Sequence, residues 1–117
     1  MKYIADCHCG RVRLEIEQDA PFGEGTQCNC SICSRRGHLL AFVPADRVVQ
    51  HVEGDALEGY TFNRHAIRHT FCSTCGVGVF ARGSDAEGNE VVALNLRCVR
   101  DLDIDALSIT RVDGRSF

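Results

Sequence analysis

The sequence predicts a mainly β fold, a small β-sheet domain with only short helical turns, and three observations support this prediction. Residues 11–17 (RVRLEIE) alternate apolar and charged side chains, which is the period of a half-buried strand. Turn segments containing glycine, proline or acidic residues recur at short intervals along the 117 residues. No segment carries the apolar spacing of a long amphipathic helix. Short strands joined by turns therefore describe the chain best.

The first elements follow from local patterns. Residues 2–6 (KYIAD) are expected to pair with the alternating strand, and CHCG (7–10) is the tight turn between them. Gly10 supplies the backbone freedom that such a turn needs. Residues 19–26 (DAPFGEGT) hold one proline and two glycines. They are therefore predicted to form a loop after this first hairpin.

The remaining elements are predicted from the same signals. LLAFV (39–43) is typical of a buried strand that ends at Pro44, and PADRVV (44–49) is compatible with one helical turn. FCSTCGVGVF (71–80) repeats the first arrangement, with a strand, a cysteine turn, a glycine and a strand. The other predicted strands are 57–63, 66–71 and 90–99. A turn is predicted at 53–55, a polar loop at 83–89 and a second helical turn at 103–107.

Length and composition indicate a single domain spanning residues 1–117. The chain is 44% apolar and 25% charged, as in an ordinary globular protein. Its net charge of −3 gives no reason to expect a nucleic acid as partner. No apolar run is long enough to cross a bilayer, and the first ten residues lack the apolar core of a secretory signal. We therefore expect no membrane partner and a cytoplasmic location, where thiols are kept reduced.

The eight cysteines are the most informative residues of the chain. Seven of them lie in three tight groups, which are Cys7 with Cys9, Cys28 with Cys30 and Cys33, and Cys72 with Cys75. Neighbours this close in sequence suit chelation of one ion better than bridges between distant segments. The even number leaves disulfide bonds open as an alternative. Metal binding is the favoured interpretation.

The first and last groups have the features of a closed metal site. CHCG and CSTCG each place two cysteines at the tip of a predicted hairpin, directly before a glycine. Two such tips supply four sulfurs, which is the full tetrahedral shell of a structural zinc ion. Such a site would join segments more than sixty residues apart, a long loop to close without help. Its expected role is structural.

The central triplet, CNCSIC (28–33), offers only three sulfurs from one local segment. Three protein ligands and an open position are typical of a catalytic zinc ion. Such an ion can hold an incoming thiol as its thiolate, which is the nucleophilic form of sulfur. Cys98 is the one cysteine left over, and it is expected to be a small buried apolar residue. The triplet is therefore predicted to act on a thiol substrate.

The residues leave other interpretations of the triplet open. A histidine could close it as a second structural site, and the candidates are His38, His65 and His69. The triplet could instead hold no ion and form a redox-active disulfide between Cys33 and one of the other two cysteines. It could also share an ion with the CHCG pair, although the CSTCG pair would then have no partner.

Taken in order, CHCG, CNCSIC followed by SRRG, and FCSTCG resemble the glutathione-dependent formaldehyde-activating (GFA) family, or S-(hydroxymethyl)glutathione synthases. Centromere protein V shares this domain. The match runs from Cys7 to LNLRCVRDLDIDAL (94–107) and so covers nearly the whole chain. Seven cysteines in this order and spacing make a specific pattern.

The resemblance implies a β-rich, zinc-stapled fold of the β-tent type, in agreement with the strand pattern. It implies two zinc ions per chain, one structural and one catalytic. The structural ion corresponds to Cys7, Cys9, Cys72 and Cys75, and the catalytic ion to Cys28, Cys30 and Cys33. It also implies addition of glutathione to formaldehyde, a reaction classified in reverse as that of a carbon–sulfur lyase. A small-molecule thiol and an aldehyde are thus the expected partners.

Three residues beside the triplet are candidates for substrate binding. Arg35 and Arg36 follow it directly, and the planar arginine side chain matches the carboxylates of glutathione. His38 could move a proton near the open position, because histidine changes charge near neutral pH. Solvent-exposed or purely structural roles are the alternative for all three. At the level of the whole protein, the alternative is a non-catalytic, zinc-stabilised binding module with only the four-cysteine site occupied.

Overall fold

The computed structural model describes residues 1–116, and strands dominate it, as the sequence predicts. The ten strands of these residues are β1 (Lys2–Asp6), β2 (Val12–Glu17), β3 (Glu24–Cys28), β4 (Leu40–Pro44), β5 (Val48–Val52), β6 (Leu57–Tyr60), β7 (Arg68–Cys72), β8 (Phe80–Ser84), β9 (Glu90–Asn95) and β10 (Ser108–Val112). The helical elements are one α-helix, α1 (Cys33–Arg36), and single 3₁₀ turns at Ala45–Arg47, Leu96–Cys98, Ile104–Ala106 and Gly114–Ser116. No helix among residues 1–116 has the length and apolarity needed to span a membrane.

The smaller sheet has three antiparallel strands in the order β1-β2-β5. β2 lies in the middle, and its apolar side chains Val12, Leu14 and Ile16 are buried. The charged side chains between them are not buried. The alternating sequence is therefore confirmed as a strand with one face on the core.

The larger sheet has seven strands in the order β10-β3-β4-β9-β8-β7-β6. Its strands pair antiparallel, except that β10 runs parallel to β3. In that parallel pair Val112 lies opposite Cys28, the first cysteine of the triplet. The C-terminal strand is thus brought next to the central cysteines.

Buried side chains from both sheets form one continuous core. Leu14 and Ile16 of the smaller sheet belong to it, as do Phe80 and Leu94 of the larger sheet. The two sheets are also joined through the backbone, because Ala5 of β1 forms a β-bridge with Val99, just after β9. The smaller sheet, which carries the CHCG turn, is therefore packed onto the sheet that carries the other cysteines.

Three strands were missed by the sequence analysis, which are β3, β5 and β10. The loop predicted over 19–26 is wrong for its last residues, since β3 begins at Glu24. β10 was not predicted at all, and every one of its five side chains is exposed. The β-branched residues of β10 (SITRV) favour a strand, but an outer strand held by backbone pairing to β3 needs no apolar alternation, and β10 shows none.

Other element boundaries also differ from the prediction. The helical turn in PADRVV is confirmed at Ala45–Arg47, but the two valines that follow begin β5. The strand predicted over 90–99 ends at Asn95, whose side chain accepts a hydrogen bond from Arg97 N and starts a 3₁₀ turn. The short helix α1 was not predicted, because four residues are too few to show helical periodicity.

Candidate metal centres and the adjoining cavity

Two turns of matching backbone geometry hold the outer cysteine pairs. Each is closed by a backbone hydrogen bond of 3.0 Å, from Cys7 N to Val12 O and from Cys72 N to Val77 O. The glycine that ends CHCG has φ 86° and the glycine that ends CSTCG has φ 82°. Glycine adopts this left-handed conformation without steric cost. The similarity of the two short sequences is therefore a similarity of structure.

The four cysteines of these turns form one group, which we call the closed cluster: Cys7, Cys9, Cys72 and Cys75. Their sulfur atoms all lie within 4.8 Å of one another. Cys9 Sγ is 3.7 Å from Cys7 Sγ and 3.6 Å from Cys72 Sγ. Sulfurs that share a tetrahedral zinc ion at a Zn–S distance of about 2.3 Å lie about 3.8 Å apart. The spacing therefore fits a single metal ion.

The surroundings of the closed cluster favour a thiolate at Cys75. Val12 N donates a hydrogen bond to Cys7 Sγ at 3.4 Å. Desolvation tends to raise the pKa of Cys75, but hydrogen bonds from the backbone N–H groups of Val77 and Cys9 lower this pKa to about 6. Thiolate is the form in which cysteine binds a metal.

Cys98 lies outside both cysteine groups and is half-buried. Its Sγ is 3.7 Å from the carbonyl oxygen of Gly78 and 3.5 Å from Asn95 Nδ2. Desolvation, with the charge of Asp6, raises the pKa of Cys98 to about 11. The residue is therefore a neutral, packed thiol. All eight cysteines of the chain are free thiols in this structure.

The triplet forms the second group, which we call the open cluster: Cys28, Cys30 and Cys33. Cys28 ends β3, Cys33 begins α1, and Cys30 lies in the turn between them. The three sulfurs lie within 4.8 Å of one another and are half-buried. Among residues 1–116 no histidine or carboxylate brings a ligand atom within that distance of all three. The open cluster thus offers a metal ion three ligands, and the proposed histidine ligands do not join it.

The electrostatics of the open cluster also suit a bound cation. Burial raises the pKa of Cys33 to about 12, and the neighbouring sulfur of Cys30 contributes to this shift. Cys30 N donates a hydrogen bond to Cys28 Sγ at 3.5 Å, which provides only modest stabilisation of negative charge. The thiolate form of the buried sulfur therefore needs a nearby positive charge, which a metal ion supplies.

A cavity of about 470 Å³ adjoins the open cluster, with all three of its cysteines in the wall. The rest of the wall is mainly apolar, and none of its described residues is Asp or Glu. The large apolar side chains that line it are Ile32, Leu40, Phe42, Phe62, Ile67, Phe80 and Val112. A half-exposed cysteine cluster and an apolar chamber thus form one site.

Arg36, at the end of α1, extends into the wall of this cavity. Its Nη2 donates to the carbonyl oxygen of Thr70 at 3.3 Å, and desolvation lowers the pKa of the guanidinium. Gly78 provides the space, because a Cβ at that position would overlap the guanidinium group. No acidic side chain among residues 1–116 forms an ion pair with Arg36. A carboxylate on a ligand can therefore pair with it.

Two histidines, His38 and His69, also line the cavity. Desolvation lowers the pKa of His38 to about 4, and the charge of Arg36 adds to the effect. Desolvation likewise lowers the pKa of His69, whose ring stacks on Phe62 with the centroids 5.5 Å apart. Both imidazoles are therefore neutral at neutral pH, and each has one N–H donor and one acceptor nitrogen.

Arg35 lies outside the cavity. Its side chain is exposed, its Nη1 donates to the carbonyl oxygen of Ser31 at 2.7 Å, and it does not line the cavity. Of the three sequence-predicted substrate-binding residues, Arg36 and His38 are brought to the cavity and Arg35 is not.

The C-terminal segment packs against the open cluster. Asn29 Nδ2 donates to Asp113 Oδ1 at 2.9 Å, and Arg115 N donates to Asn29 Oδ1 at 2.9 Å. These bonds bring Gly114 so close that a Cβ at this position would overlap Cys28 Sγ. The open cluster is therefore walled on one side by chain from the far end of the sequence.

The sequence analysis did not identify several residues of this site. His69 was considered only as a metal ligand, whereas Phe62 and Gly114 were not singled out. None of the three has a local signal, because each reaches the cavity through strand pairing or loop geometry. A glycine in a polar terminal segment is typical of any turn.

Comparisons with known proteins agree with this arrangement. A family model described as glutathione-dependent formaldehyde-activating enzyme matches residues 2–107, a range that contains both cysteine clusters. A crystal structure of a Rhodobacter sphaeroides protein superposes with a TM-score of 0.80 at 25% sequence identity. That likeness covers 93% of this chain and 99% of the other.

Proposed function

This chain belongs to the glutathione-dependent formaldehyde-activating enzyme family, and we propose that it catalyses addition of a small-molecule thiol to an aldehyde, and the reverse reaction. In the family's name the thiol is glutathione and the aldehyde is formaldehyde. The protein would then be a carbon–sulfur lyase in the direction that releases the thiol. We place it in the cytoplasm, where eight free cysteines stay reduced.

One observation carries the proposal: the open cluster has three sulfurs, no fourth protein ligand among residues 1–116, and a cavity beside it. A saturated site such as the closed cluster has no position for a substrate. The open cluster leaves one, and the cavity gives a ligand access to it.

We assign one zinc ion to each cluster, a structural ion to the closed cluster and a catalytic ion to Cys28, Cys30 and Cys33. When bound at the open cluster, zinc lowers the pKa of an incoming thiol and favours its thiolate form. The closed cluster holds the CHCG and CSTCG turns together and so positions the two sheets.

Arg36 is our candidate for binding the thiol. Its guanidinium lies in the cavity wall without an acidic partner among the described residues, so a carboxylate of glutathione can bind to it through two hydrogen bonds. Binding there would orient the thiol with its sulfur toward the cysteines. Arg35, which lies outside the cavity, remains a prediction for a second carboxylate that extends into solvent.

The reaction needs one proton to move. The thiol sulfur bonds to the carbonyl carbon, the carbonyl double bond becomes a C–O single bond, and the thiol proton ends on that oxygen. His38 is neutral, half-buried and in the cavity wall, so a ring nitrogen can accept the proton and return it. His69 lies in the same wall and is positioned by its stacking on Phe62.

The test is an exchange measurement by NMR with glutathione and ¹³C-formaldehyde. The addition also proceeds without a catalyst, so the rate difference with and without zinc-loaded protein is the measured quantity. We expect acceleration by the wild type and none by Cys30→Ser. Equal rates with the wild type and without protein would reject the proposal. One ion per wild-type chain, unchanged in Cys30→Ser, would favour the binding-module alternative.

A further inference from the structure

The wall of the cavity is more apolar than formaldehyde requires. Formaldehyde carries no carbon beyond its carbonyl, and the cavity measures about 470 Å³. An engineered cavity of about 150 Å³ is large enough to hold benzene. Glutathione bound to Arg36 would fill part of this volume, but its peptide and carboxylate groups are polar. Glutathione and a one-carbon aldehyde would therefore leave the apolar side chains of the wall without an apolar partner.

The apolar side chains at this site are also unusually exposed. Phe42 is 62% exposed, Ile67 is 49% exposed and Val112 is 37% exposed, and all three line the cavity. Large apolar side chains gathered around one opening are typical of a ligand-binding surface. The three cysteines of the open cluster line the same cavity, so a ligand held there would lie beside their sulfurs.

The distribution of charge in the cavity wall also favours an apolar ligand. Arg36 and Arg115 both line the cavity, and none of the described residues of its wall is Asp or Glu. The two histidines carry no charge at neutral pH. Apart from these two arginines the described wall carries no charged side chain, and most of the surface that it offers a ligand is apolar.

We propose that the aldehyde substrate carries an apolar side group of about five carbons, held between Phe42, Phe62 and Ile67. This inference rests on the proposed function, because it names the aldehyde of that reaction. The balance of the reaction is unchanged: the thiol adds across the carbonyl and its proton moves to the oxygen. Only the group attached to the carbonyl carbon differs from formaldehyde.

The experiment compares formaldehyde, acetaldehyde, butanal and hexanal with glutathione and zinc-loaded protein. Each buried methylene contributes about 0.8 kcal/mol, so kcat/KM should rise about fourfold per methylene from acetaldehyde to hexanal, until the cavity is filled. In parallel, binding of 1-hexanol, which has the side group but no carbonyl, is measured by protein-observed NMR. Phe42→Ser and Ile67→Ser should each lower the hexanal-to-acetaldehyde ratio and weaken 1-hexanol binding. Val49→Ser, which removes an equally exposed valine outside the cavity, should change neither.

The outcomes separate the two proposals. Acceleration of formaldehyde with a flat aldehyde series and no 1-hexanol binding would overturn this inference and leave the proposed function standing. Binding of 1-hexanol that Phe42→Ser weakens, with no aldehyde accelerated, would reject the proposed function and support the cavity as an apolar binding site. A dimer by sedimentation that Phe42→Ser dissociates would show that a second copy covers these side chains, and would overturn the inference.

Discussion

The closed and open clusters use the same residue type in opposite ways. The closed cluster joins Cys9 to Cys72 across 63 residues, and Cys72 is fully buried. The open cluster comes from six consecutive residues, is half-buried, and lies at a cavity. Four sulfurs from distant turns suit a role in folding, whereas three sulfurs from one short segment leave room for a ligand. The number and the origin of the sulfurs are therefore the features on which we base a structural role for one cluster and a chemical role for the other.

Glycine shows the same contrast. In the closed cluster, Gly10 and Gly76 allow left-handed turns and have open space where a side chain would lie. At the open cluster, Gly78 and Gly114 are required by crowding, since a Cβ would overlap Arg36 at one and Cys28 at the other. At the closed cluster, glycine is thus needed for the backbone conformation. At the open cluster, it is needed because neighbouring side chains occupy the space of a Cβ.

The largest expected effect is that of Cys72→Ser. Structural zinc contributes about 10 kcal/mol or more to folding in small metal-bound domains, which is comparable to the whole stability of a domain. We expect the variant to be largely unfolded and to lose its metal, as measured by circular dichroism and elemental analysis. Cys98→Ser is the matched control, because this half-buried thiol lies outside both clusters. Cys98→Ser should fold and retain both ions. A folded Cys72→Ser variant would contradict the structural role of the closed cluster.

Cys30→Ser should separate chemistry from folding. Its sulfur is only half-buried, and the fold around it is fastened by β3 and by the bonds of Asn29. We expect the variant to keep its secondary structure and the closed-cluster ion, to lose the second ion, and to lose any acceleration of thiol addition. If its thermal unfolding were as impaired as that of Cys72→Ser, the two clusters would not have different roles.

Gly114→Ala tests the crowding at the open cluster. The added methyl group must displace Cys28 Sγ or the C-terminal turn, so zinc affinity at the open cluster should fall by about 10- to 100-fold. Competition with a chelator measures this affinity. Gly23→Ala is the control, because no atom would contact its Cβ within 4 Å. Unchanged affinity in Gly114→Ala would mean that the C-terminal segment does not wall the site in solution.

The smallest expected effect is on the pH dependence of stability, and it comes from the desolvation of His38 in the cavity wall. Its pKa in the folded protein is about 4, below the ordinary value of 6.5. As the pH falls below 6.5 the unfolded chain binds a proton at this histidine and the folded protein does not, so stability declines toward pH 4. His38→Gln should remove this part of the decline, seen as a smaller loss between pH 7.5 and 6.0 in urea denaturation. If an NMR titration gave His38 a pKa near 6.5, the side chain would be solvated and this prediction would be wrong.

The sequence predicted the parts of the fold whose signals are local. The alternation in β2 and the paired CHCG and CSTCG turns are determined by residues next to one another, and the structure confirms both. The family resemblance is likewise confirmed, since it depends on cysteine spacing. The mainly β class and the two potential metal-binding groups were therefore predictable.

The cavity was not predictable in the same way. β10 is exposed on every residue, so nothing in its composition indicates that it pairs with β3 and brings Gly114 to Cys28. His69 lies opposite Tyr60 in the β6–β7 pair, so its stacking on Phe62, just after β6, depends on the register of these two strands. Contacts between distant segments decide which side chains surround the open cluster, and a single sequence contains no direct record of them.

Native mass spectrometry of the zinc-loaded protein with glutathione tests the central claim most directly. We expect the wild type to carry two zinc ions and one noncovalently bound glutathione per chain. Folded Cys30→Ser should carry one zinc ion and no glutathione. Wild-type protein with a single zinc ion, or glutathione bound equally by Cys30→Ser, would contradict the claim that the open cluster holds a metal ion with a position for a substrate thiol.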